Sequence, residues 1–397
     1  MTAGRYTVIE SCRGCGEALG DPTRWLEMEP MPLAGAFSPT PESARDAAIY
    51  PLTLIGCPRC RLVQVREDVS GEELFSEYRY SSSTVPGLVR HFDRYADELL
   101  QLLGNGKARV LEIGCNDGVL LSRLPRSWDL TGVDPSDVAA AGSRADYRLI
   151  SAPFTPALAM ELAEAGPFDL VTSSNTLAHL SDLAGAFEGI AHLLGPEGLF
   201  VMEVHDLDAT LASGQWDTVY HEHKVEWSEA SLRTCLARAG LGVVQVERLP
   251  LHGGALRVTS RPCAPERDRA TLPDDVENAG LRRLRASYEA RRLTPLYRRL
   301  MEVLDKGGVL CAYGASGRAN VWLNQLSDLD VAFVADDSPL RMGTWLPRVA
   351  IAVVGATRLY ESSTDGCLVT AWNHAQDIVE RHPGYRGAWF PTFTSAA

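Results

Sequence analysis

A chain of 397 residues with 45% hydrophobic and 22% charged residues has the balance of a soluble globular protein, and it is too long for one hydrophobic core, so two or three domains are expected. A formal net charge of −13 excludes broad binding to nucleic acid or anionic membranes, which need a basic surface to neutralise phosphates. The opening residues lack a basic start leading into an apolar run, and no later stretch is apolar long enough to span a bilayer, so a cytoplasmic location is expected.

Residues 1–75 read as a small zinc-binding module with strand-like runs at 50–55 and 62–65. Cys12-Arg-Gly-Cys15 and Cys57-Pro-Arg-Cys60 are two CxxC knuckles. Each knuckle brings two thiolates to one ion across a tight turn, and two complete the tetrahedral sulfur site that suits zinc. A closed four-thiolate site has no open position, so the expected role is structural. A redox CxxC would not come twice. Cys115, Cys235, Cys263, Cys311 and Cys367 are expected to be unligated thiols.

Residues 76–262 alternate strand-length apolar runs with helical patterns, at 109–113, 130–133, 169–173, 199–203, 241–246 and 256–260. Such alternation predicts a mainly parallel sheet covered by helices on both faces. The first strand runs into Glu112-Ile113-Gly114-Cys115-Asn116-Asp117-Gly118, a glycine turn of the kind that lets backbone approach a nucleotide at the end of a parallel strand. It lacks the spacing of the dinucleotide fingerprint, which argues against NAD. Asp134 ends the second strand, where a carboxylate can accept both ribose hydroxyls of an adenosine, and Asn175 would face the same crevice. This pattern resembles class I methyltransferases that use S-adenosylmethionine.

Tyr220-His221-Glu222-His223 is too polar for a core strand. In an extended chain Tyr220 and Glu222 would share one face and the two histidines the other, unless a turn intervenes. His-x-His can also ligate a metal, although methylation of carbon beside a ketone needs only a base and an oxyanion donor. His179 is a second candidate facing the crevice. Tyr78 and Tyr80 sit where module and central domain join, a place that also suits simple interface aromatics. Residues 263–397 begin with a charged stretch running into helix, then repeat the strand pattern at 308–313, 331–335, 349–354 and 367–371. A second nucleotide-binding-like α/β unit is expected there.

Taken together, the paired cysteines, the 112–118 loop, Tyr220-His221-Glu222-His223 with 252–257 downstream, and Tyr313-Gly314-Ala315-Ser316 with Ala371-Trp372-Asn373 resemble the sugar C-methyltransferases of antibiotic deoxysugar pathways. The nucleotide-linked 4-ketohexose 3-C-methyltransferases are the best-known members. The resemblance implies an α/β protein of three parts: a zinc-binding module, a central class I methyltransferase Rossmann-like domain, and a C-terminal Rossmann-like α/β domain that helps hold the nucleotide sugar. It implies His223 as base, with Tyr220, Glu222, His179 and Tyr78 around the sugar, and Glu112, Gly114, Asn116, Gly118, Asp134 and Asn175 around S-adenosyl-L-methionine. Tyr80, Ser316, Arg318, Asn320 and Asn373 would contact the rest of a ketosugar linked to a nucleotide, expected to be thymidine diphosphate. The family tendency is a monomer.

Departures are also visible. Arg318 stands where relatives carry lysine, Gly317 and Ala319 alter the same loop, and Lys224-Val225-Glu226-Trp227 follows the His-Glu-His run where relatives tend to be aromatic or small. Methylation at carbon 5 or of another keto acceptor, an NAD oxidoreductase and a non-catalytic nucleotide-binding zinc module are the competing readings.

Overall fold

The computed structural model describes residues 5–75, 80–104, 106–142, 146–269, 275–361 and 363–393. At the N-terminus, β1 (Thr7–Val8) pairs with β5 (Glu67–Asp68). Between them β2 (Arg24–Met31), β3 (Tyr50–Gly56) and β4 (Val63–Val65) form an antiparallel sheet. The inner strand β3 is almost continuously apolar and buried, as a strand covered on both faces must be. The fourth strand of this sheet, β11 (Val225–Glu226), comes from the segment just after Tyr220-His221-Glu222-His223. Sheet pairing therefore ties the module to the segment that carries Tyr220 and His223.

The central sheet contains β6 (Arg109–Ile113), β7 (Asp129–Val133), β8 (Arg148–Ile150), β9 (Phe168–Ser174), β10 (Leu194–His205), β12 (Leu241–Leu249) and β13 (Ala255–Pro262), in the order β12-β13-β10-β9-β6-β7-β8. Pairing is parallel from β8 to β10, and β13 runs antiparallel between β10 and β12. The helix Pro86–Leu103 buries Leu88, Phe92, Tyr95 and Leu99 against one face, while Leu183–Leu193 buries Phe187 and Ile190 against the other. Both faces are thus covered, as a parallel sheet requires.

The C-terminal sheet is wholly parallel: β14 (Leu310–Tyr313), β15 (Val331–Asp336), β16 (Val353–Gly355), β17 (Gly366–Val369) and β18 (Ala388–Pro391), ordered β16-β15-β14-β17-β18. The strand expected at 349–354 is shorter and later, because Ala350 has φ +52° and Arg348 φ +65°, which bend the chain out of extended geometry. Helices Asp275–Glu289 and Pro295–Asp305 occupy the charged stretch before this sheet. Both sheets change direction beside their first strand, at β6 and at β14, and a switch point of this kind opens a crevice at the carboxyl ends of the strands. Among the described residues no helix is long and apolar enough to cross a membrane.

Candidate active site

The two crevices open into one cavity of about 1470 Å³. Glu112, Gly114, Asn116, Asp134 and Asn175 line it from the central domain, with His179, His205, Tyr220, Glu222, His223 and His252 between the two domains. Tyr80 reaches it from the segment that follows the module, and Ser316, Arg318, Asp336, Arg341 and Asn373 line it from the C-terminal domain. Tyr78 lies outside the described residues.

The central loop is held in a shape only glycine allows at its first turn. Gly114 has φ +76°, and a Cβ there would lie 1.9 Å from Thr176 Oγ1. Its N–H donates to the Val133 carbonyl, and the N–H of Asn116 donates to Asp134 Oδ2 at 2.9 Å. Asp134 Oδ1 accepts from the Ser136 N–H and hydroxyl. Asp134 is therefore aimed by its own loop, with carboxylate lone pairs left to meet a diol. Glu112 Oε2 and Asn175 Oδ1 are buried acceptors with no partner among the described residues, and burial holds the Glu112 carboxyl well above the usual range. Unpaired acceptors beside a glycine cradle fit the ammonium and ribose of S-adenosylmethionine. Gly118 shapes the loop from outside the cavity: φ is +72°, and a Cβ would lie 2.3 Å from the Tyr147 hydroxyl.

The tyrosine and histidines meet through a turn. The His223 N–H donates to the Tyr220 carbonyl at 3.0 Å, which brings the two rings to 3.9 Å between centroids. His223 Nδ1 lies 2.9 Å from the Thr218 carbonyl. A carbonyl only accepts, so Nδ1 carries the proton and Nε2 is the basic nitrogen; the Tyr220 hydroxyl donates to it at 2.6 Å. Burial, helped by His179, holds the His223 pKa well below the ordinary value, so the imidazole is neutral at physiological pH. The His179 ring lies 5.4 Å from that of His223 and is fixed by the Glu222 carbonyl.

The other two members of the run divide, His221 serving the scaffold and Glu222 lining the cavity. His221 is turned away and bonds the Pro51 carbonyl at 2.9 Å, its pKa brought to about 4 by burial. Glu222 accepts the Gly35 N–H at 2.7 Å, and burial raises its pKa. Because His221 and His223 point apart, they make no His-x-His metal site. Among the described residues the one cluster with ligand atoms close enough for an ion is that of the cysteines. Three cavity histidines, His205, His252 and His374, escaped sequence reasoning. His205 sits edge-on to His223 with centroids 4.8 Å apart, and His252, at φ +52°, lies 5.9 Å from His205. The only signal for His252 was its place in the 252–257 stretch.

In the C-terminal domain Ser316 caps the helix Gly317–Gln325 and faces the cavity, as do Arg318 and Asn373. Arg318 donates to the His252 carbonyl at 2.7 Å, which keeps its guanidinium beside the histidines. Asn320 is placed elsewhere: fully buried and off the cavity, its amide donates to the Ala34 carbonyl at 2.6 Å and so ties this domain to the module. Tyr80 packs beneath Arg341, and burial pushes its hydroxyl up to about 12.

All four Sγ atoms of Cys12, Cys15, Cys57 and Cys60 lie within 4.8 Å of one another, with Cys12–Cys60 at 3.6 Å and Cys15–Cys57 at 3.7 Å. Tetrahedral zinc with its usual bonds to sulfur needs edges of roughly 3.8 Å. The cluster fits zinc with no atom moved far.

Comparison with known proteins finds three matched stretches. A zinc binding domain model matches residues 12–75, a methyltransferase domain model 89–246, and a C-methyltransferase C-terminal domain model 250–391. The C-methyltransferase NovU of Streptomyces niveus is 28% identical over 390 residues, covering 94% of this chain and 92% of that relative. A ubiquinone biosynthesis O-methyltransferase of a Caulobacter species is 32% identical over 134 residues, 31% of this chain and 52% of the relative. Fold, loop and matches define a class I methyltransferase dependent on S-adenosylmethionine. With the zinc-binding and C-terminal matches on either side of it, the chain is more narrowly a C-methyltransferase, and its acceptor is a carbon atom.

Proposed function

We propose that the enzyme methylates carbon 3 of a thymidine-diphosphate-linked 4-keto-deoxysugar, in the service of antibiotic sugar biosynthesis. The observation that carries this reading is the Tyr220–His223 pair, a neutral base and a hydroxyl donor 2.6 Å apart facing a cavity shared by two nucleotide-type loops. Carbon beside a ketone becomes acidic enough for such a base once a hydroxyl donor stabilises its enolate oxygen.

When bound, S-adenosylmethionine supplies an electrophilic methyl on a sulfonium. Glu112, Asn116, Asp134 and Asn175 would hold it at the end of the central sheet. The sugar ketone competes with His223 Nε2 for the Tyr220 hydroxyl. As the hydroxyl turns to the ketone oxygen, Nε2 is freed to take the proton from carbon 3, and the electron pair of that C–H bond becomes the enolate; a bound cofactor would supply the methyl to that carbon, the C–S electron pair leaving with the thioether sulfur. Tyr220 then stabilises the enolate oxygen, a contribution typically of ~3 kcal/mol. Arg318 and the start of the helix it sits on would meet the diphosphate, with Ser316, Asn373 and Tyr80 around the remainder of the nucleotide sugar.

Labelled cofactor incubated with a panel of thymidine-diphosphate ketosugars, followed by NMR location of the label, is the direct test; label on a heteroatom or on carbon 5 refutes the assignment. The expected companion result is that His223→Ala abolishes turnover while calorimetric binding of S-adenosylhomocysteine is kept. Unchanged turnover removes this histidine from the mechanism.

A further inference from the structure

Lys224 directly follows His223, is 1% exposed and does not line the cavity. An ammonium has three N–H donors, and here each has an acceptor: Asp68 Oδ1 at 2.6 Å, the Val69 carbonyl at 2.7 Å and Ser181 Oγ at 2.8 Å. Its backbone is fixed as well. The N–H donates to the Ala178 carbonyl and the carbonyl accepts from the Val65 N–H, both at 2.9 Å. Lys224 thereby joins the end of the zinc module, the short helix Leu177–His179 and the turn that carries His223.

The same bonds continue back to the metal cluster. Asp68 Oδ1 also accepts from Arg13 Nη2 at 2.8 Å, and Arg13 lies inside the first knuckle, between Cys12 and Cys15. The Arg13 N–H donates to Gln64 Oε1 at 3.2 Å, and Gln64 Nε2 donates to Cys12 Sγ at 3.4 Å. A hydrophobic side chain of similar volume would fill the Lys224 site without the cost of desolvating an ammonium. What lysine adds is direction, since three short bonds to two separate segments, Asp68-Val69 and Ser181, fix where the following and preceding residues stand.

Resting on the reading above, we propose that Lys224 is a positioning residue through which the zinc module sets the His223 imidazole against the acidic C–H bond. The four-thiolate centre then does more than hold its own module together. Its knuckle residue Arg13 braces Asp68, Asp68 orients Lys224, and Lys224 fixes the turn on which the base is mounted. A misplaced base loses rate steeply, by about 100-fold for an error near 1 Å, without any loss of binding for ligands held elsewhere in the cavity.

The test uses the zinc-loaded full chain with S-adenosylhomocysteine bound, and reads exchange of the ketosugar C–H for deuterium in heavy water, which reports base placement alone. For Lys224→Met the expected result is a fall in exchange and kcat of roughly 10- to 100-fold with zinc content, sugar KM and S-adenosylhomocysteine affinity retained, and partial recovery in Lys224→Arg. Exchange within about twofold of wild type overturns the proposal, as does a parallel loss of affinity and rate at full zinc content. If Lys224→Met fails to fold or to keep zinc, Asp68→Asn decides: a selective fall in exchange supports the proposal and unchanged exchange refutes it. Absence of exchange in the wild-type enzyme with every ketosugar would instead sink the proposed reaction, and this inference with it.

Discussion

The two Rossmann-like units present the same loop to the same cavity and differ in how they treat its acid. In each, the N–H of the first loop glycine donates to the carbonyl of the residue that precedes the second-strand acid: Gly114 to Val133 and Gly314 to Ala335, both at 2.8 Å. In each, a loop N–H then meets one oxygen of that acid, Asn116 to Asp134 Oδ2 at 2.9 Å and Ala315 to Asp336 Oδ2 at 2.6 Å. A serine two residues on, Ser136 or Ser338, donates its N–H to the other oxygen. Among the described residues only the C-terminal acid is also paired with a cation, Arg341, at 3.1 Å. An unpaired carboxylate suits a ribose diol and an ammonium, whereas a neutralised one leaves its loop free to accept phosphate oxygens. One loop scaffold thus carries a bare acid in one unit and a salt-bridged acid in the other, which under the proposed function would serve a cationic ligand and an anionic one.

Breaking the glycines separates the two sites most strongly. Gly114→Ala puts a methyl 1.9 Å from Thr176 Oγ1 at φ +76°, so the loop must move; S-adenosylhomocysteine affinity should drop about 100-fold or more by calorimetry. Gly314→Ala, at φ +98° with its Cβ 2.6 Å from Ala371 Cβ, should leave that affinity intact and raise the sugar KM instead. A comparable loss of both ligands in either variant would mean that the cavity is one coupled site and the division is mistaken.

Changing the acids is the next, milder cut. Asp134→Asn should weaken S-adenosylhomocysteine, and Arg341→Met should raise the sugar KM by exposing an anionic ligand to an unpaired Asp336. Each effect is expected at about 10- to 100-fold, the range of hydrogen bonds to charged groups. If Arg341→Met tightens the sugar, the C-terminal loop does not face phosphate.

Much of this comparison was legible in the sequence, because it rests on local rules. Apolar runs ending in glycine turns gave β6 and β14, and the paired cysteines gave the cluster now seen within 4.8 Å. What escaped depends on contacts made far along the chain. Asn320 looks like a loop ligand by position, yet its amide is taken by Ala34, nearly three hundred residues earlier. The period-two rule put Tyr220 and His223 on opposite faces; a turn closed by the His223 N–H brought them together. β11 is two residues long and has no propensity signal of its own, since its existence depends on the edge offered by β4. His205 lies just past the 199–203 run and drew no reading, because nothing local reveals which side chains a switch point turns inward.

The smallest expected effect joins the two units, since Arg318 of the C-terminal helix acts on His223, the proposed base of the central one. Burial is the first cause of the depressed His223 pKa, the His179 ring the next, and the positive charge of Arg318 acts in the same direction. A base works only when neutral, and its pKa lies well below the ordinary histidine value. The wild-type kcat should therefore hold steady as pH falls through 6.5, an ordinary imidazole's range, and drop only on further acidification. Arg318→Met removes one charge that disfavours imidazolium, so the pKa rises and the acid limb of kcat moves to higher pH. The shift should stay below about one unit, because desolvation is untouched and remains the dominant cause. Measured at saturating sugar, the limb is separated from any loss of phosphate affinity. A limb that moves to lower pH, or stays in place while KM rises, would show that Arg318 serves the sugar alone and that the two halves do not meet at the imidazole.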